Sequence, residues 1–305
     1  FFILVLCLSF ITACSGPESS DGQDLKQNDS IDNEDDNDDN NDSNYNDKDQ
    51  DQTKETKEVT VKEQVLLDEN DIVISLKSFS NDSIFGPGLK VLIENNSDKA
   101  VTVQVRNLSI NDVMIEALLS SDVEANKKAN DEITFMSSQL KDANISTIQK
   151  IEFSFHIFDS ENWEDSFESD MILIETESDP EYIQEYDDSG FLAYDENDLK
   201  IVMKKVSSED SFWGADVFVY IENNSDNNIT VQARDVSING FMVEPIFSSD
   251  ILAGKKVYDT ITFMESDLED NDIETIDEME LSFHIFQAED LEKSFNTPKI
   301  SVDFQ

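Results

Sequence analysis

Leu89, Val91 and Ile93 alternate with Lys90, Leu92 and Glu94, and Val101, Val103 and Val105 alternate with Thr102, Gln104 and Arg106. A period of two sends successive side chains to opposite faces of a strand, so each run predicts a half-buried β-strand. Asn95-Asn96-Ser97-Asp98 between them supplies turn chemistry. Asn111-Asp112 and Asn239-Gly240 are further turn dipeptides, the second a strong hairpin signal. Ile133 with Phe135 makes a shorter run, and Ile151, Phe153, Phe155 and Ile157 make the longest. Two short helical turns are expected in the connections. Ser266 with Glu269 reads as a capping box ahead of 268–273, and 160–167 with 288–295 reads as a second turn.

The pattern occurs twice. Ile93-Glu94-Asn95-Asn96-Ser97-Asp98 returns as Ile221-Glu222-Asn223-Asn224-Ser225-Asp226, and Ser154-Phe155-His156-Ile157-Phe158 returns as Ser282-Phe283-His284-Ile285-Phe286, both 128 residues on. From Val91 to Phe158, 39 of 68 positions are identical without a gap, which makes the chain an internal duplication. Upstream, Asp68-Glu69-Asn70-Asp71 pairs with Asp195-Glu196-Asn197-Asp198 at an offset of 127, so one residue was gained or lost in the Phe85/Trp213 loop. Each copy is long enough to be a domain, with seven or eight short strands separated by turn signals. That pattern predicts an all-β chain of two tandem immunoglobulin-like β-sandwiches, at 61–176 and 191–305. Residues 177–190, polar and carrying Pro180 and Gly190, read as the linker.

The N-terminal 60 residues are of another kind. Phe1 to Ala13 is a short apolar run ending in small residues before Cys14. It is too short to span a bilayer as a helix and suits the apolar region of a signal peptide. No initiating Met or basic stretch precedes it, so the leader is expected to begin upstream of Phe1. Residues 14–60 are dominated by Asp, Asn, Ser, Gln, Glu and Lys, a composition that predicts a disordered acidic tether. As a neutral coil it would reach about 35–40 Å, and fully extended about 150 Å.

Charge and cysteine usage narrow the function. A net charge of -48 repels nucleic acid and anionic headgroups. The two cysteines, Cys7 and Cys14, both precede the repeats, so neither repeat holds a disulfide or thiolate-metal site. No phosphate-cradling glycine loop, nucleophile elbow or paired-histidine metal motif occurs. The chain therefore reads as a non-enzyme without a cofactor or resident metal. His156 and His284 stand at equivalent places, weak candidates for a metal ligand or pH sensor and more plainly sheet-surface imidazoles. Phe85, Phe212 and Trp213 lie on a glycine-containing loop and form a candidate binding tip. Trp163 has no tryptophan counterpart in 288–295. Lys127-Lys128 and Lys255-Lys256 read as solvated turns.

Ile11-Thr12-Ala13-Cys14 resembles the lipobox of bacterial lipoproteins. The series I-E-N-N-S-D, V-Q-x-R, S-I-N, S-S-D, K-K, I-T-F-M and S-F-H-I-F resembles uncharacterised lipoproteins of low-GC Gram-positive bacteria with small immunoglobulin-like extracellular domains. The resemblance covers 64–176 and 191–305 together with the lipobox and linker style, and brings no catalytic residue with it. It implies a lipid on Cys14 and anchorage at the outer face of the cell membrane; lipobox, tether and tandem sandwiches together suggest a binding or adhesion role toward a protein or cell-wall ligand. Two alternatives are an accessory subunit of an envelope membrane complex and a calcium-dependent surface module, the latter suggested by the acidic domains.

Overall fold

A computed structural model describes residues 59–81, 84–163, 165–207 and 213–304. The signal segment, Cys14, the tether up to residue 58 and Phe212 lie outside the described residues. The described residues are nearly all β. The first repeat comprises β1 (Gln64–Glu69), β2 (Ile72–Ser80), β3 (Gly88–Asn95), β4 (Val101–Ile110), β5 (Val113–Met114), β6 (Ala117–Leu118), β7 (Ser120–Val123), β8 (Lys127–Phe135), the one-turn helix α1 (Ser137–Asp142), β9 (Lys150–Asp159), β10 (Ser166–Glu168) and β11 (Ile172–Glu175). The second comprises β12 (Phe191–Glu196), β13 (Leu199–Ser207), β14 (Gly214–Asn223), β15 (Ile229–Ile238), β16 (Phe241–Met242), β17 (Ser248–Ile251), β18 (Lys256–Met264), α2 (Glu265–Asp270), β19 (Glu278–Gln287), β20 (Asp290–Asn296) and β21 (Ile300–Asp303).

In the first repeat β1-β2-β3-β8 forms one sheet; β9 and β4 pair at the centre of the other, flanked by β10 and β11 on one side and β7 on the other. Taking β2, β3, β4, β7, β8, β9 and β11 as strands A, B, C, C′, E, F and G, the order is A-B-E facing C′-C-F-G. This is an immunoglobulin-like sandwich with β1 added at the A edge. The second repeat repeats it with β13-β14-β18 facing β17-β15-β19-β21. Period-two alternation places Leu89, Val91, Ile93, Phe153, Phe155 and Ile157 in one core and Val217, Val219, Ile221, Leu281, Phe283 and Ile285 in another.

The turn dipeptides act through backbone conformation. Asn70-Asp71, Asn111-Asp112, Asn197-Asp198 and Asn239-Gly240 all have positive φ at both residues, as two-residue hairpins matched to strand twist require. The repeated I-E-N-N-S-D is structural too. Buried Asn95 donates Nδ2 to Lys99 O and Val123 O, both at 2.8 Å, and accepts from Ser97 N at 3.0 Å. Asn223 does the same for Asn227 O at 2.8 Å and Ile251 O at 3.1 Å.

Three local expectations are corrected. The capping box at Ser266 does not form: α2 begins at Glu265 with no side-chain cap, and the Glu265 N–H donates to Trp213 O at 2.6 Å. A carbonyl from the tip loop satisfies the helix start in place of a serine. Residues 166–168 and 290–296 are strands, because β9 and β19 offer a backbone edge that a helical turn would leave unpaired. Lys255 is only 8% exposed and is no solvated turn residue.

The segment 177–190 is a packed strap. Thr60 pairs with Glu177, and Gln149 Nε2 donates to Asp179 O at 3.1 Å and Tyr182 O at 3.0 Å. Tyr186 donates its hydroxyl to Asn111 O at 2.9 Å, while Asp187 accepts from Lys204 at 2.7 Å. The Lys204 ammonium and then the Ser189 hydroxyl hold the Asp187 carboxyl well below its ordinary range.

At the junction, Lys255 from the second repeat enters the end of the first. Its ammonium reaches Asp112 Oδ1 at 2.7 Å and bonds Glu152, while Lys150 reaches the same two carboxylates at 2.7 and 3.0 Å. Lys256 N donates to Asp112 O at 3.0 Å, joining β18 to β5 by a one-residue parallel bridge. Burial by itself would raise the pKa of Asp112 and Glu152, but bonds from Lys150 and Lys255 outweigh it and hold both carboxyls low. A depressed carboxyl contributes stability that is full above its unfolded pKa of about 4 and lost as pH falls through the folded value. The junction is therefore expected to loosen below the ordinary carboxylate range. Acid titration of unfolding should show this loss in the wild type and much less in Lys255→Met; equal acid sensitivity would place the effect elsewhere.

Candidate functional site

The duplication can be compared face by face. On the outer face of the A-B-E sheet the repeats differ where the junction forms. Ser75, Leu92 and Asn130 of the first repeat correspond to Val202, Tyr220 and Tyr258 of the second. Val202 and Tyr220 are buried, the Tyr220 and Tyr258 rings meet with centroids 5.0 Å apart and planes tilted by 48°, and Tyr258 packs against the first repeat's core. The socket differs too: Asp112 and Lys150 correspond to Gly240 and Glu278. Plug and socket thus each exist in one copy, and the junction fits in one order only.

The outer face of the C′-C-F-G sheet shows the opposite. Thr102, Gln104 and Arg106 of β4 correspond to Thr230, Gln232 and Arg234 of β15. Ser154, His156 and Phe158 of β9 correspond to Ser282, His284 and Phe286 of β19, and Ser120 and Asp122 of β7 to Ser248 and Asp250 of β17. Every one of these pairs is identical, while on the same face Glu168 corresponds to Asn296 and Lys150 to Glu278, and in the core Phe155/Phe283 is retained and Phe153/Leu281 has diverged.

Geometry is retained with identity. Cross-strand register puts Ser120, Gln104, His156 and Glu168 in one row across the first repeat. Gln104 Nε2 donates to Ser120 Oγ at 3.3 Å, and Arg106 Nη2 donates to Gln104 Oε1 at 2.7 Å. In the second repeat Gln232 donates to Ser248 Oγ at 3.2 Å and Arg234 bonds Gln232. Thr102 donates to Asp122 at 2.6 Å, and Thr230 to Asp250 at 2.5 Å. The His156 and Phe158 rings lie 5.4 Å apart, and His284 and Phe286 lie 5.6 Å apart.

The two copies differ at the rim. Trp163 covers Phe158 at 5.3 Å and is 70% exposed; Leu291 stands at its place in the second repeat. His156 Nδ1 is buried with no hydrogen-bond partner among the described residues, its neighbour Glu168 being 3.7 Å away. His284 Nδ1 is hydrogen-bonded to Asn296 Oδ1 at 2.7 Å. Among the described residues no group of three or more His, Cys, Asp or Glu is placed to hold a metal ion.

The tip loops are rigidly based. Phe85 O accepts from Ser137 N at 2.9 Å at the start of α1, as Trp213 O does at α2. Phe85 and Trp213 are more than half exposed. They sit on separate repeats, each beside a glycine with φ of +148°. A cleft of about 550 Å³ beside Gly214 is lined by Val206, Ala215, Leu268, Ile273 and Ile276 together with Glu265, Glu269 and Glu274. Reading strands one at a time missed the paired outer faces; strand-by-strand comparison of the two copies was the signal that could have found them.

No protein-family model matches the chain, and no curated protein matches it. Three solved structures are similar to it at low identity. The YadV chaperone is 14% identical, with 76% of this chain and 100% of that chain covered and a TM-score of 0.25. The SafA pilin of Salmonella enterica in complex with the SafB chaperone is 11% identical, with 71% and 88% covered and a TM-score of 0.22. A protein of unknown function from Porphyromonas gingivalis W83 is 10% identical, with 81% and 98% covered and a TM-score of 0.19. Likenesses this loose carry no argument about this chain. Among the described residues no helix is long and apolar enough to cross a membrane.

Proposed function

We propose that this chain is a non-catalytic binding protein, held at the outer face of the cell membrane by a lipid on Cys14 and presenting the C′-C-F-G face of each repeat to a ligand. The observation that carries the binding role is the contrast between faces. Arg106, Ser120 and Asp122 are exposed and Gln104 and His156 half-buried; exposed polar side chains contribute little to stability, so fold maintenance alone does not require identical Arg, Ser and Asp on an outer face. Two copies of one binding face on a single chain also raise avidity for a repetitive target. The lipobox-like Ile11-Thr12-Ala13-Cys14 and the acidic 14–60 segment support display away from the membrane.

Two measurements test this reading. Cys14→Ser should move the protein from the membrane fraction to the medium or to an unprocessed precursor; unchanged membrane retention would remove the lipid anchor. The full chain, used as bait on cell-wall fragments and surface extracts, should lose its captured material when Gln104, His156, Gln232 and His284 are all changed to alanine. Phe85→Ala with Trp213→Ala should retain it. Equal capture by both variants would discard the sheet faces as the binding surface.

A further inference from the structure

We propose that the C′-C-F-G face of the first repeat binds a neutral oligosaccharide, with Trp163 as the stacking platform and Gln104, Arg106 and His156 as the groups that read its hydroxyls. This rests on the reading of that face as a binding surface and names the ligand class. Trp163 is supported from beneath by Phe158 at 5.3 Å, and Phe158 in turn by His156 at 5.4 Å. The indole is thus held in place while most of it stays exposed to solvent. A sugar ring offers such a surface its C–H face, an apolar contact that a rigid aromatic makes at small entropic cost.

Beside the platform lie flat, oriented polar groups. The Arg106 guanidinium is held by the Gln104 carbonyl oxygen at 2.7 Å, and the Gln104 amide by Ser120 at 3.3 Å. Arginine has five N–H donors and glutamine two, so both keep donors for a ligand after making these bonds. His156 completes the row: its Nδ1 is buried, and the part of the ring that meets a ligand is the quarter of the side chain left exposed. Vicinal hydroxyls are both donors and acceptors at short spacing, and planar side chains lying side by side match them.

Charge and shape restrict the class further. With a net charge of -48 the molecule repels polyanions, while the face carries both signs in Arg106, Asp122 and Glu168. A neutral polyol meets no such repulsion. The face is an open sheet surface, which suits an extended chain better than a compact metabolite, whose sites are concave. The second repeat is an internal contrast: Leu291 replaces Trp163, and His284 Nδ1 is already bonded to Asn296.

The test titrates the full chain with chitotetraose, cellotetraose and maltotetraose, and with heparin as the polyanion, following tryptophan fluorescence and calorimetric heat. At least one neutral oligosaccharide should give a saturable response with one site per chain. Trp163→Ala, a change at an exposed position, should weaken it about tenfold or more. His156→Ala should weaken it in the same direction, and Trp213→Phe should leave the calorimetric affinity unchanged. No saturable response to any of the three, a response to heparin alone, or an affinity indifferent to Trp163→Ala would overturn the assignment. If oligosaccharides fail while surface capture still depends on His156 and His284, the ligand is not a glycan and the binding role stands. If both fail, the face is not a binding surface.

Discussion

Gly214→Ala is expected to destabilise the second repeat by about 2–4 kcal/mol, the range of a strained backbone conformation added to a forced overlap. Gly214 has φ of +148°, where side chains other than glycine are strained. A methyl group there would stand 2.4 Å from Phe263 O and 2.5 Å from Glu265 N, both backbone atoms in β18 and α2. Neither can swing aside as a side chain would. At Gly86 the corresponding methyl would meet Phe135 O at 2.1 Å, so Gly86→Ala should act on the first repeat in the same way. Chemical denaturation followed by tryptophan fluorescence measures both. A loss below about 1 kcal/mol would mean that the loop can lift off its helix, and the tip would not be the rigid structure described above.

Tyr258→Ala should split one unfolding transition into two. The ring meets Tyr220 in a tilted contact at 5.0 Å, packs against the first repeat's core and donates its hydroxyl to Asp187 O at 3.2 Å. Burial pushes the phenol up to about 12, so it remains a protonated donor at neutral pH. Truncating a fully buried aromatic costs about 3–5 kcal/mol, and the half-buried Tyr258 should cost less than that. Here the loss should fall on the coupling between repeats, because Asn130 occupies the same strand position in the first repeat and is exposed there. Calorimetry of the wild type should show one cooperative transition, and the variant two. A single transition lowered in Tyr258→Ala would instead place the ring's contribution inside the second sandwich, with the Lys255 ion network left to couple the repeats.

The two substitutions test different layers of the molecule. Glycine at the tip is a demand of backbone approach within one sandwich. Tyr258 is a demand of the junction, which also needs the strap at 177–190, the Asp112 carboxylate and Lys255.

Much of this was legible in the residues themselves. Alternation of Val101, Val103 and Val105, the positive-φ dipeptides such as Asn239-Gly240, and the 128-residue repeat are local or self-comparative, and period two with turn chemistry suffices to specify strands, hairpins and an all-β sandwich. Local pattern failed where a backbone group found its partner far along the chain. Ser266 is not the cap of α2 because Trp213 O, more than fifty residues earlier, satisfies that helix start. Lys255 and Lys127 share the Ser-Ser-Asp and Lys-Lys motif around them, yet the first is buried against Asp112 and Glu152 and the second is exposed. Identity of the exposed positions was likewise present in the sequence, but which of them share one outer face depends on strand register across β7, β4, β9 and β10. Alternation by itself determines which side chains point the same way along a strand; only tertiary pairing decides which strands lie side by side, and with that which residues form a site.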